Sequence, residues 1–376
     1  MLLEKLIQQL EQFEPTDLPV ISLYLNAEAD EHGKHNYFTF VRKALPERAN
    51  TYEANSATRE SFDTDIARIT KYLENEVTAS TQGIAVFACS GSHDFFQAAQ
   101  VEVPFKANQL FVYDRPHLYP LARLSDRYAR YAVLVADTNA ARIFVFAAGE
   151  TTVRKKIEGV KTKRAQIGGW TQMRYQRHTE NYHLHHAQEI VEMLERLVDQ
   201  EHIDRIVLAG NESGIIPILH EQMPERLSHK VIDVLGLPID TPEKKILQAS
   251  LDAFLAYDAT ADAEKVQQLL NEYRADGLAV VGVPDTLAAL SNGQVEELII
   301  SGSLQSIVYN EEQAQKVLAA YASANSRPAS AAEPRMMADE LVSRAQRISS
   351  AKVSFIEDPA LLKDVGGVGA LLRYKI

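Results

Sequence analysis

With 376 residues, 46% of them hydrophobic and 24% charged, the chain has the length of two or three domains and the composition of an ordinary soluble globular protein. Its 51 Asp and Glu against 39 Lys and Arg give a formal net charge of −12, which excludes indiscriminate coating of nucleic acid but not a single basic site. One cysteine, Cys89, excludes an intrachain disulfide and a cysteine-based zinc site. No run approaches the ~18 apolar residues of a membrane span. The start, Met1-Leu-Leu-Glu-Lys-Leu-Ile7, lacks a basic region and a long apolar core, so a cytoplasmic location is expected.

Residues 1–12 have helical spacing, and Pro19 to Leu25 reads as a strand. Helices are predicted from Tyr37 and over Ser56 to Val77, the second with Phe62, Ile66, Ile69 and Leu73 on one stripe. Gly83–Cys89 and Phe95–Val103 read as paired strands, with Cys89 a small core residue. Pro104, Pro116 and Pro120 make the stretch after them too proline-rich for a central element, and a domain boundary is expected near residue 125. A second pattern then begins. Tyr131–Ala136, Arg142–Phe146 and Thr151–Ile157 read as three strands, followed by a long helix from about Glu180 to Glu201. Strand Arg205–Gly210, a helix from Ile215 and strand Lys230–Val234 complete a mixed α/β layer in the order of a ribonuclease-H-like fold, without its acidic metal cluster.

The third unit opens with two predicted helices, Pro242–Tyr257 and Ala261–Arg274. Strand Gly277–Val283, helix Pro284–Leu290 with proline in its first turn, and strand Val295–Ile300 follow. Residues 320–335 read as a flexible excursion. Helix Pro334–Ile348, strand Lys352–Ile356 and the end Gly366-Gly-Val-Gly-Ala-Leu-Leu-Arg-Tyr374 close the chain. The expected domains are thus 1–125, 126–240 and 241–376, all α/β.

One segment departs from the acidic background. Between Arg154 and His178 stand eight Lys or Arg and a single acid, Glu158, around Ile167-Gly168-Gly169-Trp170-Thr171-Gln172-Met173-Arg174. A glycine pair lets backbone enter a narrow place or adopt positive φ. The only tryptophan follows at once. Together these features suggest a basic loop that reaches into a polyanion.

Three blocks carry a resemblance: Gly277-Leu-Ala-Val-Val-Gly282, Leu287-Ala-Ala-Leu290 with Val295-Glu-Glu-Leu-Ile-Ile-Ser301, and Asp358-Pro-Ala-Leu-Leu-Lys363 with Gly366–Tyr374. In this order they resemble the third domain of the archaeal and eukaryotic class-I peptide chain release factors and of Pelota. Residues 128–240 resemble that superfamily's middle domain. The nearest likeness is to its bacterial branch, with relatives of the Vms-type ribosome-rescue hydrolases. The Gly168-Gly169…Gln172 stretch falls where release factors carry Gly-Gly-Gln, but here Trp170 and Thr171 intervene. The codon-reading Asn-Ile-Lys-Ser block and the zinc-type cysteines of some relatives are absent from the sequence.

The resemblance implies three domains: an N-terminal α/β domain, a ribonuclease-H-like middle domain and an α/β-sandwich C-terminal domain. It also implies a ribosome-associated factor, with rRNA and peptidyl-tRNA as partners and a translational GTPase as a further one, and with neither DNA nor membrane. The implied reaction is hydrolysis of the peptidyl-tRNA ester without stop-codon reading. Gln172, whose amide both donates and accepts, would position water; Gly168 and Gly169 would give the backbone its close approach and its oxyanion-facing N–H groups. Trp170 would stack on an exposed base, while Lys161, Lys163, Arg164, Arg174, Arg177 and His178 would meet RNA. No cofactor or metal is implied. His178, His183, His185 and His186 with Glu189 lack a recognised zinc spacing, and Asn211-Glu-Ser-Gly214 is either a phosphate-holding turn or an ordinary strand-to-helix turn. A non-catalytic ribosome-binding factor and a tRNA-end nuclease remain as alternatives.

Overall fold

The computed structural model describes residues 3–29, 35–147, 150–158, 170–309, 334–348 and 350–375. The expected site residues Lys161, Lys163, Arg164, Gly168 and Gly169, and the expected excursion as far as residue 333, lie outside the described residues. Packing divides the chain into two units, Met1–Arg127 with Asp262–Ile376, and Tyr128–Ala261. The second division falls inside a helix.

In the first unit, β1 (Val20–Asn26) pairs antiparallel with β2 (Gly83–Cys89) and with β4 (Gln109–Tyr113), and β3 (Phe95–Val101) completes the order β3-β2-β1-β4. Alternation sorts the side chains of β1. Ile21, Leu23 and Leu25 join a core with Val41 and Leu45 of α2 (Tyr37–Ala49) and Phe62 and Ile69 of α3 (Ala57–Asn75). Ser56 caps α3 by accepting from the Arg59 amide at 3.1 Å. Cys89 is buried in β2. The proline-rich stretch does hold a strand, β4, but at the sheet edge and between its prolines; Pro120 sits in the first turn of α4 (Tyr119–Arg127), where its missing N–H costs nothing.

The same unit holds a second sheet, β10 (Ala279–Val281), β11 (Val295–Ser301), β12 (Lys352–Ile356) and β13 (Val368–Leu372), in the order β10-β13-β11-β12 with only β11 and β12 parallel. Helix α9 (Val283–Ser291) connects β10 to β11, and the last helix, α10 (Pro334–Arg347), precedes β12. A Cβ on Gly367 would lie 2.2 Å from the Ser306 carbonyl oxygen at φ +80°, so the Gly366-Gly367 pair answers close backbone packing rather than a nucleotide. Two sheets and α1 (Leu3–Glu11) meet around residues 117–127. Asp339 of α10 accepts from the His117 ring Nδ1 and from the backbone amides of Leu118 (3.1 Å) and Tyr119 (2.9 Å). Tyr119 donates its hydroxyl to the Ser301 carbonyl at 2.6 Å, and Arg123 grips Glu357 through two bonds of 2.7 and 2.6 Å.

The second unit is a five-stranded sheet, β7-β6-β5-β8-β9, from β5 (Tyr131–Ala136), β6 (Ala140–Ala147), β7 (Glu150–Glu158), β8 (Ile206–Gly210) and β9 (Val231–Leu235). β5, β6 and β7 are antiparallel neighbours, while β8 runs parallel to β5 and β9 to β8, as the ribonuclease-H-like reading requires. Ala132, Leu134 and Ala136 face a core built with α5 (Trp170–Gln200) and α6 (Ile215–Gln222). Tyr131, Val133 and Val135 face Ile246 and Phe254 of α8 (Glu243–Arg274). A short helix, α7 (Glu225–Ser228), precedes β9. The two helices expected over 242–274 are therefore one, because nothing between Tyr257 and Ala261 is a glycine or proline.

Asp65 gives this fold a measurable pH signature. It is fully buried on α3; one carboxylate oxygen accepts from the Ser90 amide at 2.8 Å, and the other makes no hydrogen bond of normal geometry among the described residues. Burial pushes its carboxyl up to about 6, against the opposing pull of the Ser90 bonds and Arg68. A carboxyl raised on folding favours the folded state at low pH, and that contribution disappears as pH rises through about 6. Asp65→Asn should therefore be more stable than the parent at pH 8 by about 1–2 kcal/mol, with the gap closing towards pH 4. Urea unfolding at both pH values reads this; a gap independent of pH would refute it.

Candidate functional site

The basic segment joins β7 to α5. Residues 170–200 contain no glycine or proline, so once the backbone leaves Gly169 nothing in the sequence breaks a helix before Gln200. The backbone is accordingly helical from Trp170, ten residues before the expected start near Glu180. Gln172, Arg174, Arg177 and His178 thus stand on the first three turns of α5, not in a loop. Trp170 opens the helix.

Beyond residue 180 the helix settles against the sheet. Ala187, Ile190, Leu194 and Leu197 are buried in its core, whereas Asn181, His185, Gln188 and Glu192 are exposed. The histidines separate accordingly. His185 is exposed, His183 is half-buried beside the Tyr182 ring at 6.3 Å, and His186 is only 2% exposed. His186 faces the β5–β6 turn, where Asp137 accepts from the amides of Asn139 and Ala140, both at 2.7 Å. The Ala140 backbone lies close to the ring, but neither ring nitrogen makes a hydrogen bond of normal geometry among the described residues. Burial lowers the His186 pKa, partly opposed by the carboxylates of Glu189 and Asp137.

Gln172 and His186 are fourteen residues apart on one helix, about 21 Å at 1.5 Å per residue. They cannot serve one reaction centre. Among the described residues no three His, Cys, Asp or Glu side chains converge as a metal site. The Asn211 turn closes on itself: its side-chain oxygen accepts from the Ser213 amide and hydroxyl, both at 3.0 Å. Gly210 is required there because a Cβ would lie 2.4 Å from the Ala136 carbonyl of the neighbouring strand. The strand-to-helix account of that turn suffices. Sequence reasoning singled out His186 only within a histidine cluster and missed the buried carboxylate of Asp339 altogether. The signal for each was a titratable residue in an apolar helical stripe, Asp339 among Met337, Ala338, Leu341 and Val342, and His186 on the stripe that continues through Ile190 and Leu194.

Residues 116–255 match the family described as "Bacterial archaeo-eukaryotic release factor family 10", and residues 259–376 match "eRF1 domain 3". An uncharacterized protein of Mycobacterium tuberculosis is 26% identical over 277 residues, covering 72% of this chain and 73% of its own length. Eukaryotic peptide chain release factor subunit 1 of Stylonychia mytilus is 22% identical over 304 residues, covering 73% of this chain and 68% of its own. Among solved structures, a ribosome-bound archaeal Pelota with ABCE1 aligns over 100% of this chain and 94% of its own, at 15% identity and a TM-score of 0.42. The chain is thus similar to bacterial archaeo-eukaryotic release factors in its middle part and to eRF1 domain 3 in its last third. Those two matches together run from residue 116 to residue 376, and over them the chain resembles release-factor domains. Among the described residues no helix is long and apolar enough to cross a membrane.

The buried imidazole of His186 makes this unit acid-sensitive. Its folded pKa lies below 6.5, so its neutral form favours folding above that pH, and the contribution is lost as pH falls from 6.5 towards the folded value. His186→Leu, apolar and of similar bulk, should flatten the fall in unfolding temperature between pH 7 and pH 5. Scanning calorimetry at both pH values checks it; an unchanged slope would show that His186 is not the titrating group.

Proposed function

We propose that this protein enters the ribosomal A site and hydrolyses the ester linking a nascent peptide to tRNA, without reading a stop codon. The observation that carries the reading is the basic Gly168-Gly169 segment at the mouth of α5, in a chain of net charge −12 whose residues 116–255 and 259–376 match release-factor families. Lys161, Lys163, Arg164, Arg174 and Arg177 meet phosphates of rRNA or tRNA, and Trp170 stacks on an unpaired base. Water attacks the ester carbonyl carbon, backbone N–H groups near Gly168 and Gly169 hold the oxyanion, and the ribose oxygen leaves with a proton. Gln172 orients the water. A translational GTPase delivers the factor, and the setting is the cytoplasm.

One observation favours a second reading, a factor that binds without catalysis. Trp170 and Thr171 separate the glycines from Gln172, and the helix already runs through Gln172. Peptide-release assays on purified ribosomes carrying labelled peptidyl-tRNA separate the two. Wild type should give free peptide and intact tRNA. Gln172→Ala should bind normally yet release about 10–1,000-fold more slowly. Gly169→Ala should also slow release, because a Cβ obstructs a close backbone approach. Binding with no release by wild type would establish the non-catalytic reading, and a shortened tRNA would establish nuclease action.

The absence of the codon-reading block sets a further expectation. Release should be equal on ribosomes with a stop codon, a sense codon or an empty A site. A preference for stop codons of tenfold or more, about 1.4 kcal/mol, would overturn the stop-independent assignment.

A further inference from the structure

We propose that the groove between α2 and α3 binds a free apolar α-amino acid, its side chain in the groove and its ammonium and carboxylate held at the rim. The site stands apart from the A-site reading above and does not depend on it.

Both helices carry more apolar surface than the first sheet covers. On α2, Tyr37, Val41, Leu45 and Ala49 are buried at steps of four, and on α3 Phe62, Ile69 and Leu73 are buried. Beside these stripes Phe38 and Ile66 stay half-buried, packed against the same core. Arg59 donates to the Ala49 carbonyl at 3.1 Å, so the end of α2 meets the start of α3 and the two helices run antiparallel. Between them lies a cavity of about 160 Å³, walled by Phe38 and Val41 from α2 and by Ile66 and Leu73 from α3. An apolar cavity of roughly 150 Å³ admits a benzene-sized molecule. The groove therefore holds one leucine or phenylalanine side chain, and is too small for a nucleoside or a lipid tail.

The rim is polar and of mixed sign. Lining positions step by four along both helices, 38, 42 and 46 against 66, 70 and 74. In antiparallel helices this spacing puts Arg42 and Glu74 on facing walls, one turn or roughly 5 Å apart along the axis. Both are exposed, and among the described residues neither has an ion-pair or hydrogen-bond partner. Pro46, inside α2, has no N–H to give the Arg42 carbonyl, so that oxygen lacks its usual helical donor. Thr70 donates its hydroxyl to the Ile66 carbonyl at 2.8 Å and so offers the groove no free donor.

These groups discriminate among ligands that fit the cavity. A hydrocarbon would use neither charge, a short fatty acid only Arg42, and an alkylamine only Glu74. A residue inside a peptide would bring no charge from its main chain, because its amino and carboxyl groups are amides. A free apolar amino acid uses both walls. Its carboxylate accepts from the Arg42 guanidinium, and its ammonium donates to the Glu74 carboxylate, with the Arg42 carbonyl as a further acceptor. Both charged anchors face solvent, so a dissociation constant of about 0.1–1 mM is expected.

Isothermal titration of the full chain with L-leucine and L-phenylalanine tests the site. Each should bind at one molecule per chain. N-acetyl-L-leucine, without the ammonium, and L-leucinamide, without the carboxylate, should each bind about three- to tenfold more weakly than L-leucine. Arg42→Gln should weaken L-leucine by a similar factor and leave L-leucinamide unchanged. Glu74→Gln should weaken L-leucine and leave N-acetyl-L-leucine unchanged. Thr70→Phe, which fills the groove, should abolish binding; where it lowers the unfolding temperature, the two surface variants decide. No heat from either amino acid at about 10 mM would overturn the proposal. Equal binding of L-leucine, L-leucinamide and benzene, or binding indifferent to both surface variants, would overturn it in favour of an unselective apolar hole. Tighter binding of N-acetyl-Gly-Leu-Gly-amide than of L-leucine would overturn it in favour of a protein partner.

Discussion

The Asp339 carboxylate accepts three hydrogen bonds at once, from the His117 ring and from the backbone amides of Leu118 and Tyr119. The two amides lie at the head of α4, so a carboxylate from α10 caps a helix that lies more than two hundred residues earlier in the chain. His117 in turn donates its amide to Ser22 at 2.9 Å and accepts the Tyr24 hydroxyl at its carbonyl, both residues of β1. One carboxylate thereby ties the first sheet to α10. Glu357 adds a second tie through Arg123, Arg127 and Lys106; burial pushes its carboxyl upward, but the cations outweigh burial and hold it below the usual value. Breaking a buried set of this kind costs far more than its net contribution, because the remaining partners stay buried without water.

The middle unit follows another logic. Its sheet is apolar on both faces, with α5 and α6 on one and α8 on the other, and ion pairs such as Arg154 with Glu243 add to that burial at the rim. Arg205 is a polar fixture on the α8 side, pairing with Asp258 at 2.7 Å while its guanidinium lies 4.8 Å from the Phe254 ring centre. Packing anchors the second half of α5, where Leu194 and Leu197 are buried. Among the described residues, that core takes from α5 only positions from Ala187 onward. Trp170, Arg174 and Arg177 precede Ala187 in the helix, and Arg196 follows it.

Much of this was legible in the residues. The apolar run Tyr131–Ala136 identified a strand buried on both faces, and the order of elements from there to Val234 gave the sheet β7-β6-β5-β8-β9. The blocks near Gly277, Val295 and Gly366 pointed to the release-factor third domain, and residues 259–376 match it. Boundaries were less legible. The helix start at Trp170 and the merging of two helices into α8 were missed, because histidines, aromatics and a run such as Asp258-Ala-Thr-Ala-Asp262 weaken a helical pattern without breaking it. The edge strand β4 was hidden by its flanking prolines.

The sequence by itself determined the class of fold, the acidic background with one basic segment, and the likeness to release-factor domains, since each depends on local periodicity, composition or the order of short blocks. Only the tertiary structure decided that Asp339 reaches His117 and that His186 is enclosed against the Asp137 turn. Both are meetings of residues distant in sequence, which no local pattern encodes, because the contacts form only when separate helices and strands pack together.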